Sequence, residues 1–245
     1  MDKNGKVVLF LHIPKTAGST LKSILDNQYT SLERMDYYGG DFSKFINAAK
    51  NNPNLKCING HFRFGIHKRI QKPFCYVTML RHPIERVLST YYYIKRPNHT
   101  KNNMVKNMSI EDFVASKEAW ANHMVSNLQT TYVSGSTPPN LEVAKKNLEQ
   151  YFDVVGITEM FDQSLFLMKK SFGWKNIDYK SENITKNRPT INEHSKEVID
   201  LITQKNQLDL KLYKFGKYLL NQKIVNLDHK TKVEMNKFLG DIKRY

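Results

Sequence analysis

Cysteine is nearly missing: Cys57 and Cys75 are the only two in 245 residues. Two thiols make neither a disulfide framework nor a metal-ligand cluster. Both sit among apolar neighbours, so buried free thiols and a reducing, cytoplasmic setting are expected. No apolar run approaches the ~20 residues that span a bilayer. The first residues, MDKNGK, run straight into an apolar segment, so no signal peptide is expected. Internal repeats and low-complexity linkers are missing too, which excludes solenoids and long disordered tails. Acidic residues are scarce, 23 against 38 Lys and Arg, for a formal charge of +15. That excess favours anionic partners of several kinds, from nucleic acid and acidic polysaccharide to a membrane surface or a polyphosphate cofactor, and does not choose among them. Residues 211–245 hold nine Lys/Arg and three Asp/Glu, read here as a solvated helical face.

What is present is the composition of a globular chain, 40% hydrophobic and 11% aromatic, with a length that fits one α/β domain over 1–245. Buried-type strands are expected at 7–11, 55–59, 74–80 and 152–157. Helices are expected at 42–50, from Pro83 through Tyr91, from Ser109, over 120–128, 141–150 and 161–172, and from Asn192 onward. Ser109 with Asp112 three residues on reads as a capped start. Residues 29–41, 97–107, 134–140 and 173–191 read as polar connections. Strands alternating with helices imply an α/β fold, a parallel sheet flanked by helices with a helical C-terminal part. Ligands in such sheets sit at the carboxyl ends of the strands.

The stretch VVLFLHIPKTAGSTLKSIL, residues 7–25, organises the rest. It reads as strand, tight loop, helix. The start of that helix has N–H groups without internal partners and the positive end of the helix dipole, so it suits a phosphate or sulfate. Lys15 adds a mobile cation, and the hydroxyls of Thr16, Ser19 and Thr20 add donors. The order differs from G-x-x-x-x-G-K-[ST], because Lys15 precedes Gly18, the only glycine of the stretch.

In YVTMLRHPIERVLSTYYY, residues 76–93, Arg81 leaves a strand and Ser89 lies two turns into the next helix. A guanidinium fork and a hydroxyl suit a second phosphate. Gly60-His61-Phe62-Arg63-Phe64-Gly65 follows another strand. His61 is the best-placed base for an acceptor hydroxyl, ahead of His12 (inside the first strand), His82 and His67 (on a short helix).

These segments resemble the sulfotransferases that use 3′-phosphoadenosine 5′-phosphosulfate (PAPS), in the carbohydrate branch that includes the heparan sulfate 2-O- and 6-O-enzymes. The resemblance implies a P-loop-like core. It places the donor phosphosulfate on Lys15, Thr16, Ala17, Gly18, Ser19 and Thr20, the 3′-phosphate on Arg81 and Ser89, and the base on His61. Relatives often add a basic lid, for which Lys186 or Arg188 are the candidates. Asn127 to Thr131 is similar to an N-x-Q-T-R stretch in which Thr131 stands for the arginine. The expected reaction is in-line sulfuryl transfer to a carbohydrate hydroxyl, within an anionic glycan or glycolipid, with adenosine 3′,5′-bisphosphate (PAP) as product. No metal and no nucleic-acid partner are expected, and peripheral membrane contact is left open. The rival readings are a Mg²⁺-dependent small-molecule kinase and a basic nucleic-acid or membrane-binding module.

Overall fold

The computed structural model describes residues 5–179 and 189–241. Five parallel strands form one sheet in the order β2-β3-β1-β4-β5. Strand β1 (Val7–Leu11) is buried at every position, as a central strand covered on both faces must be. Helix α1 (Gly18–Asp26) follows, then β2 (Arg34–Tyr37), α2 (Phe42–Asn51) and β3 (Cys57–Gly60). The short α3 (His67–Ile70) leads to β4 (Phe74–Leu80), and α4 (Pro83–Ile94) leaves it. Four short helices come next: α5 (Asn102–Val105), α6 (Ile110–Ala115), α7 (Ala119–Val125) and α8 (Leu128–Ser134). The chain continues through α9 (Leu141–Tyr151), β5 (Phe152–Ile157), α10 (Phe161–Phe172), α11 (Lys196–Lys205), α12 (Gln207–Val225) and α13 (His229–Asp241).

The expected α/β class and helical C-terminal part are what the chain forms. Three departures are instructive. The polar stretch 29–41 contains β2, a four-residue edge strand with no fully buried residue, so it lacks the continuous apolar run that marks a central strand. The stretch 97–107 contains the single turn α5. The helix expected over 120–128 ends at Val125, and α8 starts afresh after Asn127, which adopts a left-handed conformation.

From β1 the chain moves out to β2, returns to β3 beside β1, and then crosses to β4 on the other side. The carboxyl ends of β3, β1 and β4 therefore lie together where the winding changes direction, the place where such sheets bind ligands. Cys57 and Cys75 both lie level with Val8, on opposite neighbours of β1. Two strand spacings, about 9–10 Å, separate them, beyond the reach of a disulfide. Burial pushes the Cys57 thiol up to about 12, so it is inert.

Helices α9, α10 and α12 pack on β5, and α11 packs on α4 and α6. A second apolar cluster joins Val87, Leu88 and Tyr91 of α4 to Phe113, Val125 and Ile202. That packing leaves Glu85, Ser89, Tyr92 and Tyr93 as the less buried side of α4.

Candidate active site

The loop from β1 to α1 turns twice through left-handed backbone, at Lys15 (φ 69°) and Ala17 (φ 64°). Neither residue is glycine, so the turn is held by its surroundings. Three of its carbonyls are gripped. His61 Nδ1 lies 2.8 Å from the His12 carbonyl oxygen. The Thr16 hydroxyl donates to the Ile13 carbonyl at 2.8 Å. Arg81 Nη1 donates to the Lys15 carbonyl at 3.2 Å. The residues expected from three separate segments are thus fastened to one loop.

Ala17 stands at the N-cap of α1 and makes no side-chain hydrogen bond to it. The first-turn N–H groups have no partner within the helix itself. A helix start of this kind suits the anion expected on residues 16–20, and one part of that expectation is corrected. Thr16 is fully buried and its hydroxyl is turned inward to Ile13. It shapes the loop, and only its main chain is left to serve a ligand.

Arg81 is presented by a rigid frame. Its N–H donates to Gln129 Oε1 and its carbonyl accepts from Gln129 Nε2, both at 2.9 Å. The flanking Leu80 carbonyl accepts from Thr158 at 3.1 Å, and the His82 N–H donates to Glu159 at 2.9 Å. The Arg81 side chain pairs with Glu85 at 3.1 Å. Glu85 is therefore the partner of the arginine. Ser89 lies one turn beyond Glu85 and Tyr93 one turn beyond that, on one face. Lys15 Nζ stands 3.7 Å from the Tyr93 ring centroid.

Position 12 was expected inside the first strand, yet His12 is the first residue past it. Its buried ring stacks on Phe10 and lies 4.5 Å from His61, centroid to centroid. Burial first, then the charges of His61 and Lys15, holds His12 well below the usual histidine range. His61 is lowered by burial, opposed by its bond to the His12 carbonyl. Since a carbonyl only accepts, His61 Nδ1 carries the hydrogen and Nε2 keeps a lone pair in the neutral ring. Tyr38, just past β2, sets its ring edge against both imidazoles. Its hydroxyl lies 3.3 Å from His12 Nδ1 and accepts from Asn59 Nδ2 at 2.8 Å.

The other histidines fall elsewhere. His67 Nδ1 lies 2.9 Å from the Tyr76 hydroxyl, within a cluster of Phe64, Phe74 and Tyr151. His82 faces Tyr213. Thr131 is buried and bonds back to the Asn127 carbonyl at 2.9 Å, so the N-x-Q-T stretch is structural apart from its hold on Arg81. Lys186 and Arg188 lie outside the described residues. Among the described residues no group of three or more His, Cys, Asp or Glu could hold a metal ion, and no helix is long and apolar enough to cross a membrane.

Sequence reasoning missed Tyr38, Gln129 as a frame for Arg81, and Tyr93. The four-residue spacing of Glu85, Ser89 and Tyr93 was the signal for the last. Tyr38 stood in a stretch read as turns, and nothing local marked it.

Gly18 is the glycine this site needs. A Cβ there would stand 1.7 Å from His12 Nε2, and Phe10 and His61 wall the imidazole in. Gly18→Ala should cost about 1–3 kcal/mol of stability by overpacking, read as a lowered unfolding midpoint. An unchanged midpoint would mean that the His12 ring can move aside.

An open parallel sheet whose central strand runs into a helix start, with lysine and arginine beside it, defines an α/β protein with the strand-end geometry that suits an anion. The chain belongs to the sulfotransferase family, whose profile matches residues 1–216. It is 23% identical to galactose-3-O-sulfotransferase 2 of Mus musculus over 238 residues, covering 84% of this chain and 59% of that protein. It is 26% identical to galactose-3-O-sulfotransferase 3 of Homo sapiens over 197 residues, 68% of this chain and 44% of the relative. The heparan-sulfate 6-O-sulfotransferase 3-B of Danio rerio is 24% identical over 275 residues, with 90% and 65% covered. The chain thus spans less than two thirds of the length of these relatives. The crystal structure of mouse sulfotransferase SULT7A1 complexed with PAP shares the fold, with a TM-score of 0.50, 15% identity and coverage of 91% and 89%.

Proposed function

We propose that this chain is a sulfotransferase domain, 1–245, that moves a sulfuryl group from PAPS to a hydroxyl of a carbohydrate. The observation that carries it is the convergence on one loop. His61 from the β3 end holds the His12 carbonyl at 2.8 Å, and Arg81 from the β4 end holds the Lys15 carbonyl at 3.2 Å. A base and a cationic fork are thereby fixed on either side of the helix start. The sugar-modifying relatives support a carbohydrate acceptor, and the complex of SULT7A1 with PAP supports PAP as the product.

The donor supplies the activated sulfuryl group and a nucleotide leaving group. The main-chain N–H groups of residues 16–20 hold its phosphosulfate end, with hydroxyls from Ser19 and Thr20. Arg81 and Ser89 take the 3′-phosphate. Lys15 stabilises charge that develops on the bridging oxygen of the leaving phosphate. His61 Nε2 removes the acceptor proton. Rate enhancement comes from position and preorganised charge. Lys95, Arg96 and Lys101 near the end of α4, with the +15 total, suit an anionic glycan or glycolipid. The two buried thiols suit a reducing compartment such as the cytoplasm. No observation favours the kinase or nucleic-acid readings over this one.

The test is binding of PAP. At one hundredfold over its dissociation constant it should stabilise the protein by about 2.7 kcal/mol, seen as a raised melting temperature, with a much smaller shift from 5′-AMP. Equal shifts would remove the 3′-phosphate from Arg81 and Ser89. Labelled donor with a panel of sugars then identifies the acceptor.

A further inference from the structure

Lys15 is held at both ends. Its carbonyl accepts from Arg81 at 3.2 Å, and its ammonium nitrogen lies 3.7 Å from the centroid of the Tyr93 ring. The same ring takes the Arg96 guanidinium at 5.2 Å and meets His99 edge-on at 4.8 Å. Tyr93 follows Glu85 and Ser89 at four-residue steps, on the less buried face of α4. The charge of Lys15 is also felt on two sides. It contributes to lowering His12, behind burial and His61, and to lowering His99, behind burial and Lys101.

We propose that Tyr93 is a positioning residue that orders the Lys15 ammonium over the crevice before the donor arrives. This rests on the assignment of Lys15 to the phosphosulfate. A lysine is a point charge on a flexible four-carbon stem, with no fork to orient it. Ordering it during binding weakens affinity unless something has ordered it beforehand. A carboxylate could do so, but it would neutralise the cation and repel an anionic donor. Among the described residues Glu85 lies near this loop, and it pairs with Arg81 at 3.1 Å. A ring face attracts the ammonium through its quadrupole and leaves the positive charge in place. Tyr93 therefore holds Lys15 without competing for the charge that the donor needs.

The test is a double-mutant cycle on PAP affinity, measured by calorimetry at fixed ionic strength. The proteins are wild type, Tyr93→Phe, Tyr93→Leu, Lys15→Met and the Lys15→Met/Tyr93→Leu pair. Tyr93→Phe keeps the ring face and should bind within about twofold of wild type, while Tyr93→Leu should bind roughly three- to tenfold more weakly. In the Lys15→Met background Tyr93→Leu should change nothing further. Tyr93→Met replaces the leucine protein if circular dichroism shows that protein to be unfolded. Independent, additive losses, or a leucine variant that binds like wild type, would overturn the role of Tyr93 alone. If wild type fails to bind PAP, the donor reading falls and this inference with it.

Discussion

His61→Ala should lower sulfate transfer roughly 10²- to 10⁴-fold, the usual cost of removing a general base, while PAP still binds. Alanine also removes one of the three holds on the loop, so PAP affinity should fall by no more than that hydrogen bond contributes, about 0.5–1.5 kcal/mol. His61 touches the loop through Nδ1, which donates to the His12 carbonyl at 2.8 Å. The atom proposed to act on the acceptor is Nε2, on the other side of the ring. The pH dependence has a defined sign. Burial lowers His61 from the ordinary value, so the neutral ring is the populated form at neutrality. Activity should be full above its folded pKa and fall as pH drops through it, which places the acid limb below the usual histidine value of about 6.5. A variant that turns over like wild type would move the base elsewhere. His12, whose ring lies 4.5 Å from His61, is then the next residue to replace.

Asp209→Ala should destabilise the fold by about 1–3 kcal/mol, the range for leaving buried hydrogen-bond donors without their acceptor. Asp209 is fully buried on α12. It accepts from the Gln129 N–H at 3.0 Å, the Thr130 N–H at 2.7 Å and the Thr130 hydroxyl at 2.7 Å. These bonds cap α8, whose own N-cap residue, Asn127, makes no such bond. Asn127 instead accepts from the N–H groups of Leu208 and Asp209, at 2.9 and 3.1 Å, so α8 and α12 cap each other. Asp209 also faces the charge of Arg86. Burial lowers Arg86 to about 10, and Asp209 opposes that shift. Nε and Nη2 of Arg86 are buried without a hydrogen-bond partner, so losing Asp209 leaves that guanidinium uncompensated. Urea unfolding measures the loss. Because α8 carries Gln129, which frames Arg81, PAP affinity should fall as well. A loss below about 1 kcal/mol would mean that Asp209 does no more than an ordinary cap.

Local chemistry wrote much of this protein into its sequence. The apolar runs at Val7–Leu11, Phe74–Leu80 and Phe152–Ile157 are strands because each is buried on both faces and needs no partner pattern to be recognised. Pro83 at the first turn of α4 and the Ser109–Asp112 capping box mark helix starts by bonds made within a few residues. Lys15, His61 and Arg81 were legible because each follows such a strand, where a parallel sheet presents its ligands. Tertiary structure decided the remainder. Strand β2 is only four residues long and alternates Arg34 and Asp36 with Met35 and Tyr37, which pack on the core, so it carries no continuous apolar run. The start of α8 rests on Asp209, some eighty residues away, which no local pattern contains. The approach of His12 to His61, the frame that Gln129 builds around Arg81, and the ring of Tyr93 over Lys15 depend on strand order. Only the crossing from β3 past β1 to β4 brings those segments to one loop, and strand order is set by packing of the whole sheet rather than by any one stretch of chain.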